Sequence, residues 1–182
     1  MGYGLKKPVV MVGMMGAGKT AVGQALARRL GVAFVDSDDE IVRAAAMSIP
    51  EIFERDGEAF FRDREGEVLA RLLQGGPRIL STGGGAYLAP ANREAISAAG
   101  VAVWLRADPD LLWERVRRKN TRPLLRTPDP RATLNTLCAA REPDYAKADL
   151  VVDAKARYSI ADMTGRVIEV LLTRPDVLEE TG

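Results

Sequence analysis

The chain of 182 residues contains no histidine and a single cysteine, Cys138. That excludes an internal disulfide framework and a Cys/His zinc cluster. It also means that any proton acceptor at neutral pH must be something other than imidazole. Charge of neither sign dominates, with 26 Lys and Arg against 25 Asp and Glu and a net charge of +1. A global pull toward nucleic acid or anionic membrane is therefore not expected. No apolar run approaches the roughly 20 residues needed to span a bilayer. Lys6 stands where N-myristoylation wants a hydroxyl residue. These absences point to the reducing cytoplasm, with neither nucleic acid nor membrane as partner. Cys138 falls among Leu134, Leu137 and Ala139 on a predicted helix and reads as a small core residue.

What the chain does have is 47% hydrophobic residues, enough for one substantial core, and no internal repeat. A single domain over residues 1–182 is expected. Apolar, β-branched runs at 9–12, 33–35, 78–81, 101–105 and 150–152 each lead into a glycine-rich turn or a helical pattern. Helices are predicted at 18–30, 39–46, 50–74, 91–99, 109–118, 130–141 and 159–172. Five strands alternating with helices imply an α/β fold, a parallel five-stranded sheet flanked by helices in three layers. Ser48, before Pro50 and Glu51, reads as a helix cap. Residues 119–130 carry three Pro and two Arg with little periodicity, and read as a mobile surface segment. Residues 174–182 read as a polar, frayed terminus.

The most specific signal is Gly13-Met14-Met15-Gly16-Ala17-Gly18-Lys19-Thr20, a G-x-x-x-x-G-K-[ST] loop between the first strand and its helix. Its amides at Gly16 to Gly18 would cradle phosphates, Lys19 would reach the terminal ones, and Thr20 would offer a hydroxyl to Mg²⁺. A signal peptide is argued against by Lys19 and by the two arginines after Ala27. A ligand-free glycine turn gives no reason for a cation at a helix start, where the macrodipole disfavours it. An anion bound there removes that misplacement.

The strand at 78–81 runs into Gly83-Gly84-Gly85 and offers no carboxylate to a metal, so the acid must come from Val35-Asp36-Ser37-Asp38. Asp36 and Asp38 share a face in extended backbone, at the carboxyl end of a strand where ligands bind in such sheets. One would serve the metal, and Asp38 is the candidate to accept a proton or hydrogen bond from an attacking hydroxyl. The competing reading is an acidic helix N-terminus favoured by the dipole. The glycine triplet exposes amides with no Cβ shield. Arg62 and Arg141 are candidates to fork onto a carboxylate or phosphate.

Taken together, these residues resemble the shikimate kinase family of P-loop, nucleoside-monophosphate-kinase-like enzymes, from about Pro8 to Leu172. The resemblance is carried by the phosphate loop, Asp36-Ser37-Asp38, Ile52-Phe53 with Gly57-Glu58-Ala59-Phe60-Phe61-Arg62, the glycine triplet, Arg122-Pro123-Leu124-Leu125, and Arg141-Glu142-Pro143-Asp144-Tyr145. It implies phosphoryl transfer from ATP to the 3-hydroxyl of shikimate, with Mg²⁺, by a monomer, in the route to chorismate. It implies a substrate-binding region at about 36–66 and a lid at about 115–130. In the implied roles Lys19, Asp38 and Arg122 are catalytic, and Gly13, Met15, Gly16, Ala17, Gly18, Lys19, Thr20, Ala21, Arg115 and Arg122 bind the nucleotide. Asp38, Arg62, Gly83, Gly84, Gly85 and Arg141 would hold shikimate. Thr20 and Asp36 would hold the metal, Asp36 through water. Arg115 and the loop after Asp153 would meet adenine, and Arg122 would close on the phosphates. Ala46 departs from the family, where a glycine is common. The alternatives are a kinase of another polyol such as gluconate, or a non-catalytic nucleotide-binding module.

Overall fold

The computed structural model describes residues 2–118 and 126–182. Five strands form a parallel sheet: β2 (Val9–Val12), β3 (Phe34–Asp36), β4 (Ile79–Ser81), β5 (Val101–Arg106) and β6 (Leu150–Asp153), in the order β3-β4-β2-β5-β6. The phosphate-loop strand β2 is central and completely buried, which is why it reads VVMV with no polar alternation. The helices are α1 (Lys19–Leu30), α2 (Ser37–Ala45), α3 (Ile49–Leu73), α4 (Pro90–Ala99), α5 (Pro109–Val116), α6 (Pro130–Tyr145) and α7 (Ile160–Leu171). The chain leaves β2 toward the β3 edge through α1 and returns through α3, α4 and α6. Right-handed crossovers therefore place α1 on one face, with α7 packed on it, and α3, α4 and α6 on the other.

This is the three-layer α/β arrangement expected, with three differences. The last residues are not frayed. Leu178–Thr181 forms a strand, β7, paired antiparallel with a first strand, β1 (Gly2–Leu5), from Gly2 opposite Thr181 to Leu5 opposite Leu178. Val177 and Leu178 are buried there, at 0% and 1% exposure. Two apolar anchors in a polar segment are too few to register as periodicity. Second, α6 runs through Pro143 to Tyr145 and so beyond 141. Third, a 3-10 turn (Ala86–Leu88) follows the glycine triplet.

Two helix ends are built as their residues require. The Ser48 side chain accepts from the Glu51 amide at 3.3 Å and caps α3. Ala46 closes α2 in the left-handed region at φ 53, a position that favours glycine. Gly57, at φ 87, interrupts α3 just before the turn that carries Arg62.

Candidate functional site

The site lies at the carboxyl ends of β2, β3 and β4, beside the central strand where the strand order reverses. Register brings the pieces together: Asp36 of β3 stands opposite Ser81 of β4, and Ser81 opposite Met11 of β2. Thr82, next in line, donates its hydroxyl to the Met11 carbonyl at 3.1 Å. The glycine triplet is thereby tied to the strand that launches the phosphate loop.

That loop turns through Gly16 at φ 82 and Gly18 at φ 97 and enters α1 at Lys19. No side chain caps this helix start and its first turn has no acid, so its leading amides remain available to an anion. The Lys19 ammonium donates to the Gly13 carbonyl at 2.5 Å, lying back across the loop. A Cβ at Gly16 would come within 2.8 Å of Val116, so α5 closes on the loop's outer side. From α5, Arg115 donates to the Gly16 carbonyl at 3.0 Å and braces the loop. Thr20 is exposed at the helix start, whereas Met15 and Ala17 are buried beneath it.

Asp36 does cap α2, since its Oδ1 accepts from the amides of Asp38 and Asp39 at 2.8 and 3.4 Å. The acidic-helix-start reading therefore holds for that one oxygen. Burial, with Asp39 nearby, raises the Asp36 pKa. Asp38 points into the site, and its Oδ1 is buried with no hydrogen-bond partner. Burial, reinforced by the charges of Asp36 and Glu65 and opposed by Lys19 and Arg62, lifts its pKa from 3.8 to about 6. An orphaned buried carboxylate oxygen is costly and invites a donor from a ligand.

The triplet is the hub. A Cβ on Gly83 would lie 2.9 Å from both Asp38 oxygens, one on Gly84 would lie 2.8 Å from Arg141 Nη1, and one on Gly85 would overlap the Arg62 guanidinium. Any side chain here would displace the carboxylate or a guanidinium, which is a packing reason for three successive glycines. Asp38, Arg62 and Arg141 come from α2, α3 and α6, and the sequence expectation that they converge is met in space.

Sequence reasoning missed Glu65. It is 1% exposed and accepts from Arg62 Nη1 at 2.8 Å, one turn along the same helix. Burial raises its pKa, while the Arg62 hydrogen bond and the charge of Arg141 oppose the rise. It fixes one edge of the Arg62 fork. The available signal was the i, i+3 spacing of an Arg and a Glu on a predicted buried face. Tyr145 was also left without a role.

Arg122 lies outside the described residues, as does the segment 119–125. A cavity of about 530 Å³ opens beside α6, lined by Met14, Trp104, Arg106, Cys138, Tyr145 and Lys155 among others. Its lining contains none of Asp38, Arg62 or the triplet, but Tyr145, which lines it, also bonds the Gly84 carbonyl, so it adjoins the convergence just described. Among the described residues no group of three or more Asp, Glu, Cys or His could hold a metal by itself.

A family model described as shikimate kinase matches residues 15–172. The chain is 69% identical over 175 residues to the shikimate kinase of Ruegeria pomeroyi, covering 96% of this chain and 90% of that one. It is 64% identical over 175 residues to the shikimate kinase of Cereibacter sphaeroides, covering 96% and 87%. Among solved structures, the shikimate kinase from Acinetobacter baumannii in complex with shikimate superposes with a TM-score of 0.86 at 38% identity, covering 92% of this chain and 93% of that one.

Proposed function

The chain belongs to the shikimate kinase family and is an ATP-dependent kinase of shikimate, and we propose that the residues converging on the glycine triplet perform the transfer. One observation carries the assignment of roles: Gly83, Gly84 and Gly85 pack in turn against Asp38, Arg141 and Arg62. An acceptor lying on the triplet meets two guanidinium forks and one buried carboxylate, which suits a ring bearing both a carboxylate and hydroxyls.

Arg62 and Arg141 bind the shikimate carboxylate, and the triplet amides take ring hydroxyls. The 3-hydroxyl then donates to Asp38, satisfying its orphaned oxygen. A carboxylate with a pKa of about 6 is ionised at neutral pH yet basic enough to hold the hydroxyl proton as the oxygen attacks. Lys19 exchanges the Gly13 carbonyl for phosphate oxygens, and the loop amides of Gly16 to Ala21, with Gly13 and Met15 shaping the turn, hold the β- and γ-phosphates of ATP. Arg115, which holds the loop through the Gly16 carbonyl, is assigned with the loop after Asp153 to meet adenine. Arg122 is assigned to close on the transferring phosphoryl group, and exclusion of water by that closure would suppress ATP hydrolysis.

The site fits a hard, oxygen-liganded cation: Thr20 offers an exposed hydroxyl, and the Asp36 oxygen not used in capping can take a metal-bound water. Mg²⁺ held there would neutralise charge on the phosphates. The chain is read as a monomer, supported by a site assembled within one chain, and as cytoplasmic, supported by its lone cysteine. Among the described residues no helix is long and apolar enough to cross a membrane.

The experiment is ATP turnover by purified protein with Mg²⁺, comparing shikimate, quinate, gluconate, AMP and no acceptor. ADP release that depends on shikimate, and is lost when Arg62 or Arg141 is replaced by glutamine, is the expected result. Equal turnover on gluconate, or shikimate turnover indifferent to both arginines, would contradict the assigned acceptor site.

A further inference from the structure

Arg141 and Tyr145 stand four residues apart on α6 and so share one face of the helix. Tyr145 is 1% exposed, and its ring packs on Trp104 of β5 with centroids 5.9 Å apart. Its hydroxyl donates to the Gly84 carbonyl at 2.5 Å. A Cβ on Gly84 would lie 2.8 Å from Arg141 Nη1 and 3.6 Å from the Tyr145 hydroxyl, so all three groups meet at one peptide. One residue earlier, Asp144 receives Arg93 Nη1 at 3.4 Å, and the same nitrogen donates to the carbonyls of Tyr87 and Leu88 at 2.9 and 3.0 Å. The end of α6 and the turn after the triplet are thus joined at two points.

The Gly84 carbonyl is an acceptor lying beside a guanidinium whose donors are needed by the ligand. Tyr145 satisfies it, and the same hydroxyl faces the Arg141 guanidinium: burial raises the Tyr145 pKa, while the charge of Arg141 and a hydrogen bond with it oppose the rise. Without that hydroxyl the Gly84 carbonyl loses its donor and the Arg141 guanidinium loses an acceptor that holds it beside the triplet. We propose that Tyr145 is a positioning residue for the carboxylate clamp: its hydroxyl, donating to the Gly84 carbonyl and facing the Arg141 guanidinium, fixes the spacing between the guanidinium and the triplet amides. The proposal rests on the reading of this site as the shikimate site.

Tyr145→Phe keeps the ring and its packing on Trp104 and removes only the hydroxyl. The expected result is a KM for shikimate raised about tenfold, with KM for ATP changed less than about twofold and kcat less than about threefold. In an Arg141→Lys background, where the fork is already gone, the same substitution should change KM for shikimate by less than about twofold. Thermal melting of each variant reports folding separately. An unchanged KM for shikimate, an equal loss in kcat and both KM values, or a full tenfold effect in the Arg141→Lys background would each overturn the proposal. Wild-type protein that turns over ATP normally with shikimate leaves the functional reading intact in all three cases. Wild-type protein with no shikimate-dependent turnover would overturn that reading and the proposal with it.

Discussion

Replacing Asp38 by asparagine should destroy activity and make the protein more stable. In the folded chain the Asp38 carboxyl is carried from 3.8 to about 6 by burial and by its acidic neighbours. Its proton is therefore held roughly a hundredfold more tightly than in the unfolded chain, equivalent to a ceiling of about 3 kcal/mol against the ionised form at pH 8. Allowing for the desolvation of the replacing amide, Asp38→Asn should gain about 2 kcal/mol, or roughly 4–8 °C in Tm for a chain of this size. The sign follows from the raised value. Below 3.8 the carboxyl is protonated in both states and costs nothing, and the cost grows as pH rises through 6. The stability difference between mutant and wild type should thus be largest at pH 8 and shrink toward zero near pH 4. Melting curves at pH 4.5, 6 and 8, with turnover at pH 8, make the assay. Turnover should fall by about a thousandfold. A mutant that melts lower at pH 8, or a difference that does not vary with pH, would refute the electrostatic account of this carboxylate.

Three further outcomes follow from the same geometry. Ala46→Gly relieves a left-handed non-glycine helix end and should raise stability by about 0.5–1 kcal/mol in a denaturant melt, with kcat unchanged. Ending the chain after Asp176 removes the buried Val177 and Leu178 and strand β7 and should cost about 3 kcal/mol, read as a Tm lower by roughly 6–12 °C, while the remaining folded protein keeps its kcat at 25 °C. Glu65→Gln loosens the Arg62 fork and should raise KM for shikimate about tenfold with little change in KM for ATP.

The sequence made the sheet and the phosphate loop legible because both rest on local signals. An uninterrupted apolar run is enough for a strand buried on both faces, as at Val9–Val12, and the loop's glycines and lysine stand at fixed offsets. The closing ribbon was not legible: Gly2–Leu5 and Leu178–Thr181 find each other across the whole chain, and neither is a convincing strand alone. In the site, the residues with unusual chemistry for their place were visible. Their supports, Glu65 and Tyr145, were not, because each acts through a partner that only folding supplies. Asp36 shows both sides at once: the sequence favoured a metal-side carboxylate over an acidic helix start, and the structure spends one of its oxygens on the cap.

The central claim is that one triplet gathers Asp38, Arg62 and Arg141 around a single acceptor. The measurement that tests it most directly is a crystal structure of this chain with shikimate and ADP bound. The account predicts the carboxylate between Arg62 and Arg141, with the 3-hydroxyl within hydrogen-bond distance of Asp38 and facing the phosphate loop. A carboxylate held elsewhere, or a 3-hydroxyl turned away from Asp38, would contradict it.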